Sequence, residues 1–156
     1  MFTGIRRSYV LLVLFLIEVI EELGTDRGIE MLQTSIVKQA DIIEQELRRR
    51  IPDDVEPLEK GVLVYKDFMK EAGSEVEVHA KDAESVTFRV DRCPFYYAFL
   101  DVGVDCGYFL GNLCTHLTLP AIQETLRRFD PHLRIETMLV RESAEEMCLE
   151  RIYMEN

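Results

Sequence analysis

In residues 75–95, EVEVHAKDAESVTFRVDRCPF, the spacing of apolar side chains changes from a helical period to a period of two. Val76 and Val78 alternate with Glu75, Glu77 and His79, and Val86, Phe88 and Val90 alternate with Thr87, Arg89 and Asp91. A polar turn, Lys81–Glu84, separates the two runs, which predicts a β-hairpin with one wet face. A second hairpin closes the chain. Leu133, Ile135, Thr137 and Leu139 mark one strand, and Cys148, Glu150, Ile152 and Met154 alternate with Leu149, Arg151 and Tyr153 on the other. The stretch Glu142–Glu146 turns between them.

Upstream of the hairpins the pattern is helical. A first helix from about Ser8 to Leu23 stops at Gly24, the residue type that most readily closes a helix in a left-handed conformation. Thr25 is then the expected cap of a long helix to about Arg50, with Ile29, Leu32, Ile36, Ala40, Ile43 and Leu47 on one face. Pro57 opens a third helix, to about Ala72, whose apolar face carries Leu58, Val62, Tyr65 and Met69 before Gly73 ends it. Between the hairpins a helical stretch from about Pro94 to Phe129 is punctuated by Gly103, Gly107, Gly111 and Pro120. Strands and helices in separate blocks predict a single α+β domain: N-terminal helices, then a four-stranded antiparallel sheet of two β-hairpins with helices between them. Residues 1–73 form its helical half and residues 74–156 the cysteine-bearing half.

Charge narrows the function. The chain carries 29 acidic and 18 basic side chains, a formal net charge of −11, which disfavours nucleic acid and anionic membrane surfaces. The basic clusters Arg6–Arg7, Arg48–Arg50 and Arg127–Arg128 read as structural cations, two of them at helix ends. Arg6 and Arg7 before the apolar run Tyr9–Ile17 imitate a signal peptide, but Glu18, Glu21 and Glu22 follow in place of a small-residue cleavage site. The run also falls short of the roughly 20 residues a membrane span needs. The expectation is a cytoplasmic protein. A helix apolar on every side must be covered on every side, so this one is either central to the core or shared in a homodimer.

Chemistry concentrates in four cysteines, Cys93, Cys106, Cys114 and Cys148. The sequence holds no Gly-rich phosphate loop, G-x-S-x-G, H-E-x-x-H or C-x-x-C motif. In a cytoplasmic chain the cysteines are free thiols, nucleophiles or metal ligands rather than disulfides. Cys93 lies where a strand gives way to a helix beginning at Pro94. There the unpaired N–H groups and the dipole favour a thiolate, and Arg92 adds a cation nearby. The alternative is a small buried hydrophobe at a strand–helix corner. Cys93, Cys114 and Cys148, with Cys106 or His116, are an acceptable donor set for zinc or an iron centre, and thiols without any metal are the alternative. Their spacing lacks the close sequence pairs of compact metal sites. Cys148, on the parity of Ile152 and Met154, is expected to point inward. His79 and His132 read as surface and turn residues.

The strand Ser85–Arg92 running into Cys93–Pro94–Phe95 carries a resemblance, as do Leu113–Cys114, the Pro131–Glu136 run and Cys148–Leu149–Glu150–Arg151. Together they resemble the L-2-amino-thiazoline-4-carboxylic acid hydrolase-like family, with a more distant similarity to 4-vinyl reductase-type ligand-binding domains. The chain departs from the family pattern at Leu117, where an acidic residue follows the middle cysteine, and at Ser143–Glu146, where a Gly-Asp turn precedes the last. The resemblance implies a small-molecule ligand and hydrolytic opening of a thiazoline ring. It places Cys93, Cys114 and Cys148 in one ligand-binding pocket. The leading expectation takes Cys93, Cys114 and His116 as catalytic candidates, Cys93 as thiolate nucleophile or ligand and His116 as a proton carrier. At i, i+2, however, His116 does not face Cys114 on an unbroken helix. A non-catalytic sensor or carrier for a small molecule or metal, and a dimeric interaction protein with structural cysteines, are the alternatives.

Overall fold

The computed structural model describes residues 1–103 and 114–155, so Cys106, Gly107, Gly111 and Leu113 lie outside the described residues. Three helices come first: α1 (Phe2–Leu23), α2 (Thr25–Leu47) and α3 (Pro57–Glu71). Strands β1 (Glu75–Lys81) and β2 (Ser85–Arg92) follow, then α4 (Pro94–Val102), a π-helical turn (Cys114–Thr118) and α5 (Leu119–Phe129). Strands β3 (Leu133–Leu139) and β4 (Cys148–Met154) end the fold. The four strands form one antiparallel sheet in the order β1-β2-β4-β3, so two hairpins join through β2 and β4. This is the expected α+β architecture. No helix among the described residues is long and apolar enough to cross a membrane.

Local chemistry explains the helix ends. Gly24 holds φ 84°, where an L side chain is strained, and its N–H donates to the Ile20 carbonyl. It also serves as the N-cap of α2, so Thr25 is the first helical residue and not the cap. Pro57 occupies the first turn of α3, and Gly73 turns the chain into β1 at φ 83°. The basic clusters are ion-paired, Arg6 to Asp101, Arg50 to Glu71 and Arg128 to Asp41.

Two apolar clusters hold the elements together. The first packs α3 and α5 on one face of the sheet, through Val64, Tyr65, Met69, Phe88, Ile122, Leu126, Leu133 and Ile152. The second joins α1, α2 and α4 through Val13, Leu16, Leu32, Ile36, Phe95 and Phe99. Cys93 packs against both. Gly61 seats α3 on the sheet, because a Cβ there would lie 2.5 Å from Leu133 Cδ2. One turn on, Tyr65 shares that face.

Two expectations change. Helix α1 is not central: Val13 and Leu16 are buried, while Leu11, Leu14 and Phe15 are 69%, 45% and 64% exposed. Its apolar run packs on α4 and α2 along one side only. Strand β1 is an edge strand with both faces largely open, and even Val78 is exposed.

Candidate functional site

Three of the four cysteines meet in one place. A pocket of about 200 Å³ is lined by Cys93, Tyr96, Cys114, Thr115, Thr118, Thr137, Arg141, Cys148 and Glu150, with Met69, Val90, Leu119 and Val140 as its apolar part. The topology explains the convergence. Val90 on β2 pairs with Cys148 on β4, and Thr137 on β3 pairs with Glu150, so these side chains share the helix-covered face. The start of α4 brings Cys93 and Tyr96, and the π-helical turn brings Cys114, Thr115 and Thr118.

The charged lining is the distinctive feature. Arg141 and Glu150 are 3% and 8% exposed, and among the described residues they are the two buried side chains of acidic or basic type. Arg141 donates from Nη1 to the Asp91 carbonyl at 2.9 Å and from Nη2 to the Val90 carbonyl. Its Nε donates to Cys148 Sγ at 3.5 Å, and the guanidinium lies 5.2 Å from the Tyr96 ring centroid. Among the described residues the guanidinium is thus fixed in the pocket wall by backbone acceptors rather than by a carboxylate. Glu150 accepts the Tyr65 hydroxyl at 2.5 Å. Burial pushes the Glu150 carboxyl above its ordinary range, and the Tyr65 hydrogen bond and the Arg141 charge only partly oppose this. Tyr65 is pushed up as well, by burial first and then by the neighbouring Glu150.

Cys93 departs from the expected thiolate. It is the N-cap residue of α4, with Pro94 next, as the sequence implied. Its side chain makes no capping hydrogen bond, however; it is partly buried, packed against both apolar clusters and lining the pocket. Burial therefore pushes its thiol up; the Tyr96 and Phe95 amides, the Ser74 hydroxyl and Arg141 pull the other way without prevailing. Desolvation outweighs the helix N-terminus. The sulfur in contact with a cation is that of Cys148, which points inward as expected.

The metal alternative also changes. Among the described residues no three His, Cys, Asp or Glu side chains are placed to hold a metal ion, so Cys93, Cys114 and Cys148 share a pocket without forming a ligand set. His116 lies on the π-helical turn and is not among the pocket-lining residues, unlike its neighbours Thr115 and Thr118. His79 and His132 are exposed, and the His132 amide donates to Asp130 Oδ1 in a turn.

A larger groove of about 660 Å³ runs between α3 and the β1–β2 hairpin, but its charged residues Glu56, Glu59, Lys66, Lys81 and Asp82 are all exposed. None of those charged groups is desolvated so as to hold an ionic ligand strongly.

No protein-family model matches the chain, and no curated protein is significantly similar to it. The chemistry of the pocket is what remains to read. Sequence reasoning passed over Arg141, Glu150 and Tyr65. For Glu150 a signal existed: a carboxylate sits on the same strand parity as Cys148, Ile152 and Met154. Tyr65 likewise lies on the apolar face of α3, where a hydroxyl needs a partner. Arg141 follows β3 in irregular chain, and no period marks it.

Proposed function

We propose that the protein binds a small organic carboxylate in the Cys93–Cys148 pocket and opens a cyclic, amidine-like ring on it by hydrolysis. One observation carries the reading: a guanidinium, Arg141, buried in the pocket wall with no ion pair to a carboxylate among the described residues. A buried cation is costly unless something compensates it, and a carboxylate in the cavity would do so. Arg141 commits one N–H each to Asp91, Val90 and Cys148, so among the described residues two of its five donors are left for a ligand. A cavity of about 200 Å³ suits a single small ring.

In this reading Arg141 holds the carboxylate and water adds to the amidine carbon. Glu150 gives its proton to the ring nitrogen, and the bond between that nitrogen and the amidine carbon breaks as the added oxygen becomes a carbonyl. The proton released from the water returns to Glu150. Cys93 and Cys114 shape the wall; a covalent route through Cys93 is not favoured, because burial pushes its thiol up, away from the thiolate. The test is incubation with 2-amino-thiazoline-4-carboxylate, following binding by calorimetry and substrate loss by chromatography. Binding with turnover supports the hydrolase. Binding without turnover leaves a carrier or sensor of the same ligand class, and neither result sinks both readings.

The exposed stripe Leu11, Leu14 and Phe15 favours a further element, a homodimer formed through α1. Light scattering over a range of concentrations checks it, and a strict monomer removes it.

A further inference from the structure

We infer that the pocket takes up its anion together with a proton, and that Glu150 is the group that carries this proton. The inference rests on the carboxylate reading above and adds to it a proton linkage. Arg141 and Glu150 line one small cavity, yet they are not joined by a hydrogen bond, and Arg141 reaches Glu150 only as a charge through space. The two states of Glu150 therefore set the net charge that a ligand meets. With Glu150 neutral the pocket presents a guanidinium that no carboxylate among the described residues pairs, and an anion gains that attraction. With Glu150 ionised the guanidinium has an internal counter-charge, and an incoming carboxylate meets a like charge at short range in a desolvated site.

The neighbours leave this role to Glu150. Across from it on the sheet stand Phe88 of β2 and Thr137 of β3, neither of which titrates. From α3 comes the Tyr65 hydroxyl, which donates to Oε2 and is itself pushed up by burial. At the start of α4, Cys93 is pushed up too, beside Tyr96. Among the described residues, Cys148 on β4 and Cys114 on the π-helical turn are the other thiols of the lining. Linkage then fixes the sign: anion binding holds the proton on Glu150, and anion affinity falls as Glu150 ionises, by at most about tenfold per pH unit.

The test uses propionate and its neutral counterpart propionamide, titrated into the whole chain and followed by NMR from about pH 6 to about pH 9, where propionate is ionised throughout. In the wild type the propionate dissociation constant should rise with pH. In Glu150→Gln, which keeps the Tyr65 acceptor, it should stay flat and as tight as the wild type at low pH. Propionamide should be flat on both. In the infrared, the carboxylic-acid C=O band lost in Glu150→Gln should persist to higher pH when propionate is bound. Parallel propionate curves for the two proteins overturn the linkage and assign any pH dependence to the thiols. Propionamide binding without propionate binding at any pH overturns the anion site itself. Absence of binding by either probe also overturns the proposal, while turnover of the thiazoline probe would still stand as a separate result.

Discussion

Helix α1 and the β3–β4 hairpin break the same rule in opposite directions. On α1 apolar side chains face outward: Leu11, Leu14 and Phe15 are exposed on a helix that buries only Val13 and Leu16. On β4 and just after β3 charged side chains face inward: Glu150 and Arg141 are buried beside a cavity. The energetic weight differs. An exposed Leu or Phe forgoes a gain of about 1.5–3 kcal/mol, whereas a buried ionisable group imposes a penalty that its hydrogen bonds must offset. The second departure therefore needs built structure around it, and the hairpin supplies it in the Val90 and Asp91 carbonyls and the Tyr65 hydroxyl. Among the described residues no such construction surrounds the first.

The largest effect should come from Arg141→Ala. It strips a donor from the Val90 and Asp91 carbonyls within the interior and from Cys148 Sγ. A loss of about 3 kcal/mol in urea unfolding is expected, together with loss of carboxylate binding. A loss below about 0.5 kcal/mol, the size of an ordinary surface change, would mean that the inward charge is no better anchored than the outward apolar face.

That asymmetry also explains what the sequence made legible. The change of period at residues 75–95 placed the first hairpin, and the alternation in β3 and β4 placed the second and turned Cys148 inward. Period is a local property, and strands and helices are local structures. The pocket is not local: Cys93, Cys114, Arg141 and Glu150 meet through the β2–β4 pairing and the docking of α4 and the π-helical turn. The cysteines drew notice by residue type, and the pocket does unite three of them. Arg141 had no period to betray it. Cys93 shows the limit most plainly. Its place at a helix start was readable, but its burial depends on two apolar clusters assembled from distant segments, and burial decides its protonation.

A smaller effect is expected where α3 meets the sheet. Gly61→Ala sets a Cβ against Leu133, which is fully buried and has little room to yield. Overpacking of this kind costs about 2 kcal/mol. Because Tyr65 stands one turn along the same face, lifting α3 should also loosen its hydrogen bond to Glu150. Chemical denaturation gives the cost, and the tyrosine near-ultraviolet signal reports the displacement. An unchanged unfolding midpoint would show that α3 has slack, and that the inward side of the comparison is less tightly built than its geometry implies.

The smallest effect belongs to α1. Phe15 is 64% exposed, and Leu11, Leu14 and Phe15 fall at i, i+3 and i+4 on one face. In an isolated chain Phe15→Ser removes a ring that packs on little, so stability should change by no more than about 0.5 kcal/mol. If the face is instead covered by a second copy, the cost would be larger and would depend on protein concentration, because dissociation and unfolding are then linked. Unfolding midpoints of wild type and Phe15→Ser, each at two concentrations well apart, separate these cases. A concentration-dependent wild-type midpoint that Phe15→Ser abolishes makes α1 an interface. Midpoints that stay put in both proteins leave α1 exposed and confine the built chemistry of this fold to the pocket between β4 and α4.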